Sequence, residues 1–201
     1  MNRYFDENSQ CVKEIKNKSP EMEHGIDDML LGRSPCVSSA LYPKNLVAHL
    51  CWNESIEKAQ EWMWAWNVCL EGVKFSTHNF YSTYYNHWNS LSRITNTGNP
   101  YLKSTIWRQK VLDEVEKLLI KKNILTQTRK VLLAQYYYKD AGVICSDDES
   151  KWINLYEHIM SLDKNFVPVE NRRVQKLFIQ FFGLKFGVIY YNRLKNTFNK
   201  F

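Results

Sequence analysis

Apolar residues recur at steps of three and four along most of this chain, and the densest such pattern lies between residues 52 and 91. In a helix of 3.6 residues per turn, residues at these steps share one face. The first stripe comprises Ala59, Trp62, Met63, Trp66, Cys69, Leu70 and Val73, and the second comprises Phe80, Tyr81, Tyr84, Tyr85, Trp88, Leu91 and Ile94. These stripes predict two amphipathic helices around which the remaining chain packs.

Capping residues predict where these two helices begin and end. Asn53 is placed to cap the first helix, because its side-chain oxygen can accept a hydrogen bond from a first-turn N–H. The second helix is predicted to end at residues 97–100, Thr-Gly-Asn-Pro, because glycine adopts positive φ readily and proline cannot continue a helix. Most of the rings are expected in the core, since each ring removes on the order of 150–250 Å² from water. Trp64 falls off the first stripe and is therefore a candidate for a partner contact.

The composition predicts a helical protein. Of the 201 residues, 44% are hydrophobic and 24% are charged, which is typical of a soluble globular protein. Seven glycines and five prolines are few, whereas parallel α/β folds need glycine at their strand-to-helix turns. We predict an all-α fold, with a single compact bundle of about six or seven helices over residues 36–201 and a flexible N-terminal arm over residues 1–35.

The predicted arm carries dense mixed charge and few apolar residues, as flexible segments do. Its small apolar cluster comprises Ile26, Met29, Leu30 and Leu31. This cluster either docks to a partner or folds back on the protein's own core.

The cysteines and the first residues predict a cytoplasmic protein. The five cysteines are odd in number and scattered, and they include no C-x-x-C pair, which is typical of free thiols in a reducing compartment. The first seven residues lack the apolar segment of a secretory signal. Export would therefore require a signal-independent route.

Three helices are predicted over residues 100–168. Ser104 is expected to cap the first of them. The second spans roughly residues 126–141, with Gly142 as its C-terminal glycine. The third begins at Ser-Asp-Asp-Glu, residues 146–149, where serine and the glutamate three positions later form a capping box.

The second of these helices contains three consecutive tyrosines, residues 136–138. Together they span about 300° of helix surface. At least one phenol must therefore face solvent or a partner, and we take Tyr138 as a candidate partner-binding residue.

The last segment has the most apolar surface of the chain. A stripe of helical period extends over about eight turns and comprises Val174, Leu177, Phe178, Phe181, Leu184, Val188, Tyr191, Leu194 and Phe198. Phe182, Phe186 and Tyr190 broaden it nearly all round, which predicts burial in the domain or in a partner and makes these three residues candidates for partner binding. The densest apolar run is shorter than the roughly 20 residues of a membrane span, so no transmembrane segment is predicted.

Two glycines interrupt this segment. Gly183 and Gly187 have the small-xxx-small spacing that permits two helices to approach closely. Glycine also weakens a helix, so the same pair equally predicts a kink.

The net charge of +6 is concentrated near the C-terminus, where seven basic residues and one acidic residue follow position 169. The candidate anion-binding residues are Arg172, Arg173, Lys176, Arg193 and Lys195. Basic residues with aromatic residues between them can bind nucleic-acid phosphates. An acidic protein or an anionic membrane surface would fit the same charge.

The chain shows no recognisable catalytic motif. It lacks a phosphate-binding glycine-rich loop, G-x-S-x-G, H-E-x-x-H and C-x-x-C. Cys69, Glu71 and His78 form the nearest potential catalytic trio, but such trios arise by chance. His49 and Cys51 lack the further ligands that a zinc site needs. We therefore assign no catalytic, cofactor-binding or metal-binding residue.

The leading hypothesis is a non-enzymatic helical adaptor or assembly protein that acts through protein–protein contacts. Its basis is an aromatic chain with more apolar helix surface than a small domain needs. An accessory component or effector of a bacterial secretion or virulence system fits this description. The alternative is a nucleic-acid-binding protein that uses the basic C-terminal segment, and neither hypothesis fixes an oligomeric state.

Overall fold

Helices dominate the regular structure in a computed structural model of the chain, which describes residues 2–5, 11–15, 25–32, 44–57, 59–73, 84–86, 100–169 and 173–198. The helices are α1 (Ile26–Leu30), α2 (Lys44–Val47), α3 (Gln60–Leu70), α4 (Pro100–Lys121), α5 (Gln127–Tyr138), α6 (Ala141–Asp147), α7 (Glu149–Leu162) and α8 (Arg173–Phe198). The predicted all-α class is confirmed. The chain divides into two compact units, unit 1 (residues 1–98) and unit 2 (residues 99–201).

Three short strands occur among the described residues of unit 1. They are β1 (Asn2–Phe5), β2 (Cys11–Ile15) and β3 (Tyr84–Asn86), in the order β2-β1-β3. β1 pairs antiparallel with β2 and parallel with β3. Tyr84 and Tyr85 therefore lie on a strand, which corrects the predicted second aromatic helix at these positions, since tyrosine also suits an extended, half-buried surface. The other residues of that predicted stripe lie outside the described part.

α3 is the first aromatic helix of the sequence analysis. It buries Met63, Ala65, Trp66, Val68, Cys69 and Leu70. It begins later than predicted, because Asn53 does not cap it. The Asn53 side-chain oxygen instead accepts from the backbone N of Ser55 at 3.1 Å and from the Ser55 hydroxyl at 2.6 Å. This local turn competes with helix formation.

α1 packs against α3 within unit 1. Ile26, Met29 and Leu30 are buried, and a Cβ atom placed on Gly25 would lie 3.6 Å from the Cβ atom of Cys69. Of the two predicted alternatives for this cluster, the structure shows the one in which it folds back. The predicted arm boundary at residue 35 stays a prediction, because residues 33–43 lie outside the described part.

The core of unit 2 lies between α4, α5 and α7. Its fully buried side chains include Val111, Leu112, Val115, Leu119, Leu133, Tyr137, Trp152 and Ile159. α4 begins at Pro100, a residue favoured in the first turn because its missing N–H would have no partner there. Ser104 therefore lies inside the helix and does not cap it.

The helix ends between α5 and α6 differ from the sequence predictions. Thr126 caps α5 by accepting from the backbone N of Arg129 at 3.3 Å. α5 then ends at Tyr138, and a separate short helix, α6, begins at Ala141. Gly142 lies within α6, so it is not a C-terminal glycine.

The start of α7 also differs from the prediction. The Asp148 side chain caps the helix by accepting from the backbone N of Ser150 at 2.8 Å. Ser146 belongs to α6 instead. Aspartate caps helices as well as serine does, and the extended backbone of Asp148 at φ −156° and ψ 114° separates α6 from α7.

An ion pair between a half-buried arginine and a buried aspartate joins α4 to the connection between α5 and α6. The Asp140 carboxylate is buried, and its Oδ1 atom lies 2.6 Å from Nη1 of Arg108. Thr105 and Gln109 make longer contacts of 3.5 Å to the same carboxylate. Burial raises the pKa of Asp140, while Arg108 and these hydrogen bonds act in the opposite direction. The carboxylate thus depends on Arg108 for compensation.

Replacing Arg108 with methionine should therefore lower the free energy of unfolding by about 3 kcal/mol, because a buried carboxylate loses its partner. Chemical denaturation monitored by circular dichroism measures this loss. Arg193→Met is the matched control, since Arg193 pairs with Glu149 on the surface and should lose about 1 kcal/mol or less. Equal losses in the two variants would contradict the assigned role of the buried pair.

A second polar cluster connects α4, α5 and α7. Nε2 of His158 lies 2.8 Å from Oε2 of Glu116. The Tyr137 hydroxyl donates to Oδ1 of Asp113 at 2.8 Å, and it lies 3.2 Å from Oε2 of Glu116. The hydrogen bond with Glu116 raises the pKa of His158 above its ordinary value of 6.5, although burial opposes this shift. Burial and the two carboxylates raise the pKa of Tyr137, which keeps the hydroxyl protonated.

The His158–Glu116 pair makes the stability of unit 2 depend on pH. Because the folded-state pKa of His158 is raised, its stabilisation is fully present below about pH 6.5 and is lost as pH rises through the folded-state pKa. We expect the difference in unfolding free energy between wild type and His158→Gln to be larger near about pH 5.5 than near about pH 8. Urea titrations at the two pH values measure it, and a difference that does not change with pH would contradict the assignment.

Candidate functional site

α8 is broken at Gly183 and folds back on itself. Gly183 has φ 72° and ψ 170°, a backbone conformation that is essentially restricted to glycine. The rings of Phe178 and Tyr191 lie 6.3 Å apart, whereas a continuous helix would separate these positions by about 20 Å. We call residues 173–182 the first arm and residues 184–198 the second arm of the α8 hairpin. The predicted eight-turn helix is therefore two helices.

Gly187 permits the two arms to approach closely. A Cβ atom at this position would lie 2.7 Å from the Cα atom of Ile179 and 2.8 Å from its backbone N. Such distances exclude any side chain at Gly187. Both predicted consequences of the glycine pair are present, because Gly183 supplies the kink and Gly187 the close approach.

The second arm is held against α6 and α7. Val188 is buried, and Trp152 donates from Nε1 to the backbone oxygen of Lys185 at 3.0 Å. The side chain of Asn192 is buried, and its Oδ1 atom accepts from the Ser146 hydroxyl at 3.2 Å. The second arm thus has both apolar and polar contacts that fix its position in unit 2.

The first arm contacts unit 2 near Tyr138. Nε2 of Gln175 donates to the Tyr138 hydroxyl at 3.0 Å. Tyr138 itself is only 6% exposed, and its ring packs near the rings of Trp152 and Phe166. The structure therefore corrects the prediction for Tyr138, which belongs to the core and supports the hairpin. A helix-surface angle could not show which of the three tyrosines faces inward.

The opposite side of the α8 hairpin exposes a set of large apolar residues, each with 39 to 79% of its surface accessible. We call this set the apolar face, and it comprises Val174, Leu177, Phe181, Phe182, Phe186, Tyr190, Leu194 and Phe198. On each arm these residues recur at helical steps and so share a side. The rings of Phe182 and Tyr190 lie 4.8 Å apart across the two arms, and Tyr190 also stacks on Phe186 at 6.4 Å. The exposed rings of the two arms therefore meet at Phe182, Tyr190 and Phe186.

The structure brings together three of the predicted partner-binding residues, Phe182, Phe186 and Tyr190. The other members of the apolar face belong to the stripe of helical period for which the sequence predicts burial in the domain or in a partner. Helical period identifies residues that share a side but does not show whether that side meets protein or solvent. The spacing of the two glycines was the sequence signal that predicted a kink or a close approach of two helices. A break in the helix changes which of its residues are exposed.

Trp64, the remaining predicted partner-binding residue, lies in unit 1. Its ring stacks on Trp52 with centroids 5.8 Å apart and an interplanar angle of 21°. Trp64 is half-buried, and Trp52 is exposed. The pair forms a small aromatic surface on unit 1, separate in sequence from the apolar face.

The hairpin also gathers positive charge. α8 contains five basic residues and no acidic residue. Arg173 and Lys176 lie on the first arm, Arg193 and Lys195 lie on the second, and all four are exposed. Arg193 donates two hydrogen bonds of 2.7 Å to Glu149, and the hydrogen bond lowers the pKa of that carboxyl. Arg172, also predicted to bind anions, lies outside the described residues.

The potential catalytic and metal-binding residues gain no support from their surroundings. Burial, together with the charge of Asp28, raises the pKa of the Cys69 thiol to about 12, which disfavours the thiolate that a nucleophile requires. His78 lies outside the described residues. No group of three or more His, Cys, Asp or Glu side chains that could hold a metal ion occurs in the described part of the chain.

Comparison with known proteins adds no relative. No family model matches the chain, and neither the curated proteins nor the solved structures include a match. Among the described residues, no helix has the length and apolar character needed to cross a membrane. The apolar face is therefore interpreted from its own geometry.

Replacing Gly187 with alanine should destabilise the α8 hairpin by about 1–3 kcal/mol, because the new methyl group would overlap the backbone of Ile179. Gly142→Ala is the matched control. A Cβ atom at Gly142, inside α6, would lie an ordinary 3.8 Å from Oδ1 of Asn192, so alanine should be neutral or stabilise by up to about 1 kcal/mol. Thermal and chemical denaturation compare the two variants. An equally stable Gly187→Ala variant would contradict the close approach of the arms.

Proposed function

We propose that this protein is a non-enzymatic helical adaptor or assembly protein that binds a protein partner through the apolar face of the α8 hairpin. The observation that carries the proposal is the set of eight exposed apolar side chains on the two arms, among which the rings of Phe182, Tyr190 and Phe186 are in contact. Single exposed apolar residues are common on proteins, whereas a continuous patch marks an interaction site. A role as an accessory component or effector of a bacterial secretion or virulence system remains a hypothesis drawn from the sequence.

The energetics favour a partner on this surface. Full burial of one large apolar side chain contributes roughly 1.5–3 kcal/mol. Phe181 is 79% exposed and Phe198 is 70% exposed, so most of that free energy is still available. A partner that covers the centre of the apolar face would gain several such contributions, against which the entropic cost of association must be set.

The support beneath the apolar face suits a binding role. The second arm is fixed through Trp152, Asn192 and Ser146, and the first arm is fixed through Gln175 and Tyr138. Side chains that are already ordered lose less conformational entropy when a partner binds. The polar contacts therefore hold both arms in position and leave their exposed side accessible to a partner.

Affinity capture from the source cells, after nuclease treatment and at high salt, tests the proposal with two variants. Phe186→Asp places a charge within the apolar face, and we expect it to reduce capture of a discrete protein about tenfold or more. Ile120→Asp is the control, because Ile120 is an exposed apolar residue on α4 and its replacement should leave capture unchanged. Circular dichroism verifies that both variants are folded.

Equal capture by wild type and Phe186→Asp, or the absence of a discrete protein partner, would contradict the proposal. The exposed Arg173, Lys176 and Lys195 of the α8 hairpin favour nucleic acid as the second candidate. Under that alternative, Lys176→Glu removes nucleic-acid retention, and retention falls steeply with salt. Under the leading proposal, protein capture survives both nuclease and salt.

A further inference from the structure

We infer that the partner covers the apolar face with a negatively charged amphipathic helix that lies along the two arms. This inference rests on the proposed function and specifies the chemistry of the partner. It follows from the shape of the surface, the charge of α8 and the position of Tyr190.

The shape of the apolar face suits a third helix. The two arms present exposed apolar side chains, and the rings of Phe182 and Tyr190 are in contact across the arms. On the second arm, the exposed apolar residues extend from Phe186 to Phe198, a rise of about 18 Å. A partner helix of about 12 residues would match this length. Grooves of this kind recognise helices through apolar residues spaced i, i+3, i+4 and i+7.

The charge of the hairpin selects an acidic helix. α8 has five basic residues and no acidic residue. Lys185 lies 3.8 Å from Glu157, and Arg193 is bound by Glu149, while Arg173, Lys176 and Lys195 are exposed. Glutamate or aspartate residues beside the partner's apolar stripe would face these cations, which favours association and correct orientation. A second α8 hairpin on the same face would instead oppose like charges.

The position of Tyr190 favours a protein helix over a lipid bilayer. Its ring contacts both Phe182 and Phe186, which places the ring among apolar side chains. Transfer of a hydroxyl into hydrocarbon without a hydrogen-bond partner is unfavourable, and tyrosines of membrane proteins concentrate at the headgroup level. A carboxylate on a partner helix can accept a hydrogen bond from the Tyr190 hydroxyl.

Selection from a displayed peptide library tests the inference on the full-length protein. The library consists of helical peptides of about 20 residues, with apolar residues at i, i+3, i+4 and i+7 and with Glu, Gln or Lys at the flanking positions. Phe186→Asp protein serves for counter-selection. We expect the enriched peptides to carry net negative charge. Replacing their flanking Glu with Lys should weaken binding about tenfold or more.

Two protein variants locate the binding of an enriched acidic peptide. Phe186→Asp should weaken it about tenfold or more, and Lys176→Glu should weaken it about threefold or more. Ile120→Asp should bind the peptide as wild type does. Isothermal titration calorimetry measures the dissociation constants of wild type and the three variants, and circular dichroism verifies folding.

Enrichment of neutral or basic peptides, or of no peptide, would overturn the inference. Dimerisation or binding to phosphatidylserine-containing vesicles that Phe186→Asp abolishes would also overturn it, in favour of a second copy or a lipid surface. Analytical ultracentrifugation and vesicle sedimentation measure these outcomes.

The proposed function and this inference can be contradicted by different results. If cell capture yields a partner that depends on the apolar face but lacks an acidic helix, the function stands and the inference alone is wrong.

Discussion

The close approach of the two arms of α8, which two glycines allow, is the contact on which the exposed surface depends. Gly183 adopts a backbone conformation that other residues avoid, and Gly187 leaves room for the backbone of Ile179. With both conditions met, the last segment becomes two helices that pack against each other. One side of the second arm is buried in unit 2. The exposed apolar residues of both arms face solvent. A straight helix of the same sequence would distribute these aromatic residues around its whole circumference.

Polar groups determine how the hairpin is supported. Trp152 donates a hydrogen bond to the second arm, and Gln175 of the first arm donates one to Tyr138. Deeper in unit 2, the Arg108–Asp140 pair and the cluster around His158 connect the helices beneath. Because each buried polar group requires a matching partner, these contacts specify one arrangement of α4, α5 and α7. The apolar face is thus an exposed surface on a well-specified scaffold, which is the arrangement that protein recognition favours.

Local hydrogen bonds explain several differences between predicted and observed helix ends. Asn53, Ser104, Gly142 and Ser146 all have the chemistry of helix termini, yet none of them serves as predicted. Asn53 closes its own turn, Pro100 starts α4 earlier, and Asp148 caps α7 in place of Ser146. Neighbouring residues with similar capping ability compete, and small differences in packing decide between them. The interiors of α3, α4, α5 and α7 were predicted more accurately than their ends, because several apolar residues specify each interior.

The sequence by itself determined the helical class, the presence of helices over residues 100–168, and the presence of an apolar, basic C-terminal segment. These properties follow from periodicity and composition, which are local. It also marked Phe182, Phe186 and Tyr190, and it named Gly183 and Gly187. Only the tertiary structure decided that Tyr138 is buried, that Phe181 and Leu177 are exposed, and that two arms share one surface. Those outcomes depend on which sides of distant helices meet, and residue spacing along one helix contains no information about the helix packed against it.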